Sequence, residues 1–179
     1  MPLTPEGRAT VDQFAKQAAA YCVLLDEADR YSPGEFLRLV QQRLLEVVRA
    51  ALDLPDISPG TEQNRVDLAS KEAARIAQAR LPPGLAEHAF YSHIFDPFEA
   101  PSEPPVGSDL RHDLVEIYED LRSSLGRWKS GSEPEQADAV WDWRQGFIHH
   151  WGRHATEAIK TIHWLLFDQF IEFDDPKQR

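Results

Sequence analysis

Proline decides where this chain can hold a helix. Its ring removes a backbone donor and clashes with the preceding turn, so only the first helical turn accepts it readily. The 13 prolines of the 179-residue chain are unevenly placed. The long intervals between them carry apolar residues at the helical period, which predicts helices joined by proline-marked turns. Thr10 with Gln13 reads as the cap of a first helix reaching about Ala28, with Phe14, Ala18, Tyr21, Cys22 and Leu25 facing inward. Ser32, Pro33 and Glu35 form a sharper signal, a capping box with proline at the first helical position, opening a helix to Leu52.

Two prolines and a glycine between Asp53 and Thr61 predict a loop, then an Ala-rich helix over 64–80 that Pro82, Pro83 and Gly84 stop. Over 85–106 the pattern changes. Phe90, Tyr91, Phe95 and Phe98, with prolines from Pro97 to Pro105, predict a packed irregular segment whose aromatics are buried. Ser108 is expected to start a fourth helix ending near Lys129. Ser132, Pro134 and Glu135 repeat the capping-box pattern and open a last helix that could continue to Phe173, with a kink at Gly146 or Gly152. No strand pattern competes. The expected fold is all-α, a single-domain bundle of about five helices over residues 1–179, with flexible ends at about 1–8 and 174–179.

Charge and composition narrow the partners. With 30 acidic against 19 basic side chains the net charge is -11, which repels phosphate backbones and anionic lipid, so neither nucleic acid nor membrane is expected. The longest apolar run, about eight residues, is far short of the roughly 20 that span a bilayer. The single cysteine, Cys22, lies in an apolar run and fits a buried thiol in a reducing compartment, hence the cytoplasm. A chain of this length buries enough surface to fold without a disulfide or a structural metal.

One constellation rises above the scaffold. Leu110, Leu114, Ile117, Leu121 and Trp128 form the apolar stripe of the fourth helix, and Asp109, Asp113, Glu116 and Asp120 form an acidic stripe beside it. In the last helix Ile148, Trp151, Ala155, Ala158, Ile162 and Leu166 form the stripe, with Trp143, Phe147, His150 and His154 on the flank of the same sense. A short turn makes the two helices antiparallel neighbours, so the flanks share one edge. Folding about Gly131 and Ser132 sets Asp113 level with His150 and Asp109 level with His154, within about one helical turn. Arg144 falls in the apolar stripe and needs Glu116 or Asp120 as partner.

Such a cluster has three readings. The histidines and acids can be structural hydrogen-bond partners. The pair His150 and His154, with Asp113 and Asp109, can instead ligate Zn, Fe or Mn. Arg144, Trp143, Glu116 and Asp120 can line a site for an organic or anionic ligand. His112 lies beside the acids without a clear partner, and His88, His93, His149 and His163 read as surface or core filler. All five tryptophans lie from Trp128 onward, where core anchorage is the commoner use.

The residues also resemble a known family. Phe14-Ala15, Tyr21-Cys22, Leu24-Leu25-Asp26, Ser32 with Glu35-Phe36-Leu37, Phe95-Asp96-Pro97, and Asp113-Leu114 with Ile117-Tyr118 and Asp120-Leu121 look like its motifs. The closing signature is Trp143-Arg144, Phe147, His150-Trp151-Gly152 and His154. Together they resemble the bacterial family DUF5063, domain of unknown function 5063, over nearly the whole chain. The resemblance implies a small helical bacterial cytoplasmic protein and assigns no catalytic role. The expected function is a non-enzymatic binding or regulatory module without a cofactor, engaging a protein or small-molecule partner. The alternative is a metal-dependent hydrolase or metal-binding enzyme using His150, His154, Asp113 and Asp109, with Glu116 or Asp120 as general base.

Overall fold

The computed structural model describes residues 3–60, 68–94, 98 and 104–168. It is mainly helical, with six α-helices in one hydrophobic core: α1 Pro5–Asp26, α2 Pro33–Ala51, α3 Leu68–Arg80, α4 Leu110–Ser130, α5 Glu133–His149 and α6 Trp151–His163. Proline sets the starts. Thr4, Ser32 and Ser132 are the N-caps of helices whose first turn holds Pro5, Pro33 and Pro134. Ser32 Oγ accepts from the Glu35 N–H at 3.4 Å, and the Ser132 N–H donates to Glu135 Oε2 at 2.8 Å. The first helix therefore begins well before Thr10, within the expected flexible end. Thr4 Oγ1 caps it by accepting from the Gly7 N–H at 3.0 Å, and the Thr10 hydroxyl lies mid-helix, donating to the Glu6 carbonyl.

Helix α4 is the central element, packed against α1, α3, α5 and α6, while α2 closes the bundle against α1 and α6. Its apolar stripe explains this. Leu110, Leu114, Ile117 and Leu121 are fully buried and Trp128 nearly so, each side chain contributing about 2 kcal/mol of transfer free energy. The inward residues of α1, Phe14, Ala18, Tyr21, Cys22 and Leu25, meet that stripe in the core. Buried polar tips are satisfied by backbone: the Tyr21 hydroxyl donates to the Leu114 carbonyl at 2.9 Å and the Trp143 indole to the Leu121 carbonyl at 3.0 Å.

Two departures matter for the site. First, the segment before α4 is a two-stranded antiparallel hairpin, β1 Phe90–His93 with β2 Val106–Asp109, Tyr91 opposite Ser108. Ser108 thus belongs to a strand, and Asp109 caps α4. The expected burial does not hold for Phe90, 73% exposed, or Phe98, 94% exposed, whereas Tyr91 is partly buried against the core. Phe95 to Pro97 lie outside the described residues, as do residues 64–67 and 174–179.

Second, the last helix is two. Backbone geometry at His150 (φ -139, ψ -90) ends α5 and starts α6, between the two glycines expected to mark a break. The break is packed shut: Trp151 is fully buried, its indole donating to the Trp143 carbonyl at 3.0 Å, with its ring 5.0 Å from that of Phe147. Trp143, expected on the flank, is instead a fully buried core residue 5.0 Å from Phe14, whereas Ile148, expected inside, is exposed. Each half of the broken helix buries its own face, Ala139, Val140 and Trp143 in α5 and Trp151, Ala155, Ala158 and Ile162 in α6. Beyond α6 the described residues form a short π-helical turn, Trp164–Asp168, and residues 169–173 of the expected last helix lie outside the described residues.

Candidate functional site

The acidic edge of α4 meets the α5–α6 junction in a seam of imidazoles and carboxylates. Asp113 is its anchor. Only 1% exposed, its carboxylate accepts from His154 Nδ1 at 2.8 Å and from the Tyr91 hydroxyl at 2.7 Å. A buried carboxylate is tolerated because two donors satisfy it. His150 Nδ1 lies 2.7 Å from Asp120 Oδ2, and its Nε2 is 3.7 Å from Glu116 Oε2. His112 reaches the other oxygen of Glu116 at 3.8 Å. The three rings form a chain, His150 edge-on to His154 at 5.0 Å and His112 edge-on to His154 at 6.0 Å.

The seam is therefore out of the expected register, by about one helical turn at His154 and about two at His150. A continuous last helix would set Asp113 against His150 and Asp109 against His154. The break at His150 re-aims α6, so His154 reaches Asp113 and His150 reaches Asp120. Asp109 is left out. It accepts from the Arg111 backbone N–H at 2.9 Å and pairs with the Arg111 guanidinium at 2.6 Å, which holds its carboxyl below the usual range.

Arg144 does not join the acids of α4 either, since Glu116 and Asp120 face His150. It is half-buried on the side of α5 facing the loop after α2, with Asp56 Oδ1 3.5 Å from its Nε. That loop is pinned to α5 by the Gly60 N–H, which donates to Asp138 Oδ1 at 2.8 Å. Of the four residues proposed as metal ligands, His150, His154 and Asp113 come together. Among the described residues, no three His, Cys, Asp or Glu side chains are arranged to hold one ion.

Electrostatics follow from the packing. The hydrogen bond to Asp113 raises the His154 pKa above its ordinary value, burial working against it and the charges of Glu116 and Asp120 with it. Burial pushes the Asp120 carboxyl up, partly offset by His150. Glu119 is raised by burial and by the negative charges of Glu116 and Asp120. The Tyr91 phenol is raised well above 10 by burial, so it stays a donor. Within the seam the Asp113 carboxylate thus favours the charged form of the His154 ring.

Two members escaped the sequence reading in different ways. His112 carried a signal, the i,i+4 spacing to Glu116. Tyr91 carried none, because only strand pairing brings it to Asp113.

No curated protein matches the chain. Among solved structures, protein BF1032 from Bacteroides fragilis has the same fold: TM-score 0.75 and 19% identity, over 89% of this chain and 93% of that one. At that identity the likeness concerns the fold. Among the described residues no helix is long and apolar enough to cross a membrane. The family model "Domain of unknown function (DUF5063)" matches residues 6–168, from the first turn of α1 through the seam to the end of the π-helical turn. A match of that extent, with the Trp143-to-His154 segment inside it, means that the chain belongs to the DUF5063 family.

Proposed function

We propose that this protein is a non-enzymatic binding module of the bacterial cytoplasm that meets its ligand or partner on the His/Asp seam. The observation that carries this reading is the buried Asp113 carboxylate, which fixes both His154 and Tyr91 while the rings of His150 and His112 remain exposed. Polar groups held in place beforehand lose little freedom on binding, so recognition at such an edge is efficient. The Nδ1 atoms of His150 and His154 are held by carboxylates, an arrangement that orients rings and needs no reacting nucleophile. A cytoplasmic setting agrees with a single cysteine kept as a buried thiol.

The metal-dependent hydrolase is the competing reading, favoured by the 5.0 Å spacing of two imidazoles beside carboxylates. The test is metal analysis of tag-free protein purified without chelator, with hydrolysis of p-nitrophenyl phosphate and p-nitrophenyl acetate measured with added Zn, Mn or Fe. The binding-module reading expects no turnover above background in wild type. Stoichiometric metal and turnover that are both lost in His150→Ala would overturn it.

A further inference from the structure

Next to the seam, α4 and α5 diverge around a depression of about 330 Å³. Asp120 and Ser123 line it from α4, Trp141, Asp142 and Gln145 from α5, and His150 from the junction. Its volume is at the low end for small-molecule sites, room for one small ligand or one side chain. Gly146 also lines it; a Cβ there would meet the buried Trp151 indole at 2.7 Å, so glycine at this position lets that ring pack close beneath the depression.

The lining selects a charge. Two carboxylates face one depression. His150 engages Oδ2 of Asp120 and Arg127 engages Oδ2 of Asp142 at 2.5 Å, and among the described residues neither Oδ1 takes a hydrogen bond, so each can serve as a further acceptor. Glu116 and Glu119 on the same helix as Asp120 add negative charge nearby. An anion is disfavoured here, in a chain of net charge -11. Trp141, 36% exposed, supplies an aromatic wall, whose face attracts cations. With amide and hydroxyl groups at Gln145 and Ser123, the lining suits an organic cation with both N–H donors and an apolar shoulder.

We propose that this depression binds one alkylammonium or guanidinium group, neutralised by Asp120 and Asp142 and covered by the indole of Trp141. The assignment rests on the binding-module reading and names the ligand class of that edge. Such a group has two sources, a free amine or the Lys or Arg side chain of a peptide.

The test is titration of ¹⁵N-labelled full-length protein at pH 7.5, following the Trp141 indole N–H signal. The probes are agmatine, acetyl-Gly-Arg-Gly-amide, the same peptide with citrulline in place of arginine, and acetate. A shift with agmatine, the arginine peptide or both, and none with citrulline or acetate, supports the site; the more effective probe identifies the source. Trp141→Leu removes the reporter signal, so its affinity is read by calorimetry. Trp141→Leu and Asp142→Asn are each expected to weaken binding at least tenfold. Gln145→Glu, which adds a carboxylate without removing a contact, is expected to tighten it severalfold and serves if Asp142→Asn misfolds.

Equal shifts with the citrulline peptide, or shifts with acetate alone, overturn the cation assignment and leave the binding-module reading standing. No shift with any probe overturns the site. The binding-module reading itself fails separately, on metal-dependent turnover.

Discussion

The break between α5 and α6 sets the seam, and a single methyl group tests it. Gly152 is fully surrounded: a Cβ there would sit 2.0 Å from the Phe147 carbonyl oxygen and 2.9 Å from Phe147 Cδ2. A backbone oxygen cannot swing aside as a side chain can, so Gly152→Ala must displace the start of α6. Overpacking of this kind costs about 3 kcal/mol at the upper end of the usual range, which in a chain of this size lowers Tm by about 6–12 °C.

Gly126 supplies the internal control, because it lies inside α4 with nothing within 4 Å of the corresponding position. There Gly126→Ala removes glycine's helix penalty and adds up to about 1 kcal/mol, raising Tm by about 2–4 °C. Calorimetry of both variants beside wild type measures the two signs together. In the same samples the imidazole proton resonances of His150 and His154 should move in Gly152→Ala and stay in place in Gly126→Ala. A Gly152→Ala protein melting within about 2 °C of wild type, with unmoved histidine signals, would refute the junction packing and with it the register of the seam.

Two further outcomes follow from the raised groups. His154 is protonated more readily in the folded state, so its contribution is fully present below about pH 6.5, the unfolded value, and is lost as pH rises through the higher folded pKa. Urea unfolding at pH 5.5 and 8.5 should therefore show a larger loss of stability on alkalisation in wild type than in His154→Gln, with Asp113, Glu116, Asp120, His112 and His150 intact in both; equal losses would remove the imidazolium from the account. Burial raises the Cys22 thiol to about 12, so native protein at pH 8 should react with a disulfide reagent only as fast as it opens, and denatured protein at once; rapid native labelling would place Cys22 outside the core.

Much of the helical scaffold was legible because its signals are local. Ser32-Pro33 and Ser132 with Glu135 satisfy orphan backbone donors within one turn, so their residues alone announce a helix start. Thr4-Pro5 carries only part of this signature, a hydroxyl before proline with Gly7 where the capping box has a carboxylate, so the start of α1 is announced less sharply. The stripe on α4 was legible since one face of a long straight helix must be apolar to be buried.

The seam was legible in membership more than in pairing. Its acids and imidazoles lie on facing flanks, but their register depends on where Trp151 inserts beside Gly146 and on how closely Gly152 approaches Phe147, contacts made across the break. The same break turned Trp143 inward and Ile148 outward. The hairpin was illegible for a different reason. Each strand is four residues long, the shortest run over which alternation is a signal, and Phe90-Tyr91-Ser92-His93 and Val106-Gly107-Ser108-Asp109 do not alternate apolar with polar; their pairing is fixed by backbone partners distant in sequence.

That hairpin has a consequence for how the family can diversify. Its base is fastened twice, by the Leu110 N–H to the Ala89 carbonyl at 2.9 Å and by Tyr91 to Asp113. His93 and Val106 then sit as a paired rung at its open end. Whatever sequence joins them leaves and re-enters at fixed points one strand spacing apart. Doubling the length of such a loop costs only about 0.6 kcal/mol in closure entropy. New residues grafted between these two positions would hang outward from a clamped stem, leaving the chain of imidazoles undisturbed. Descendants of this architecture are free to experiment there while keeping the charged edge unchanged.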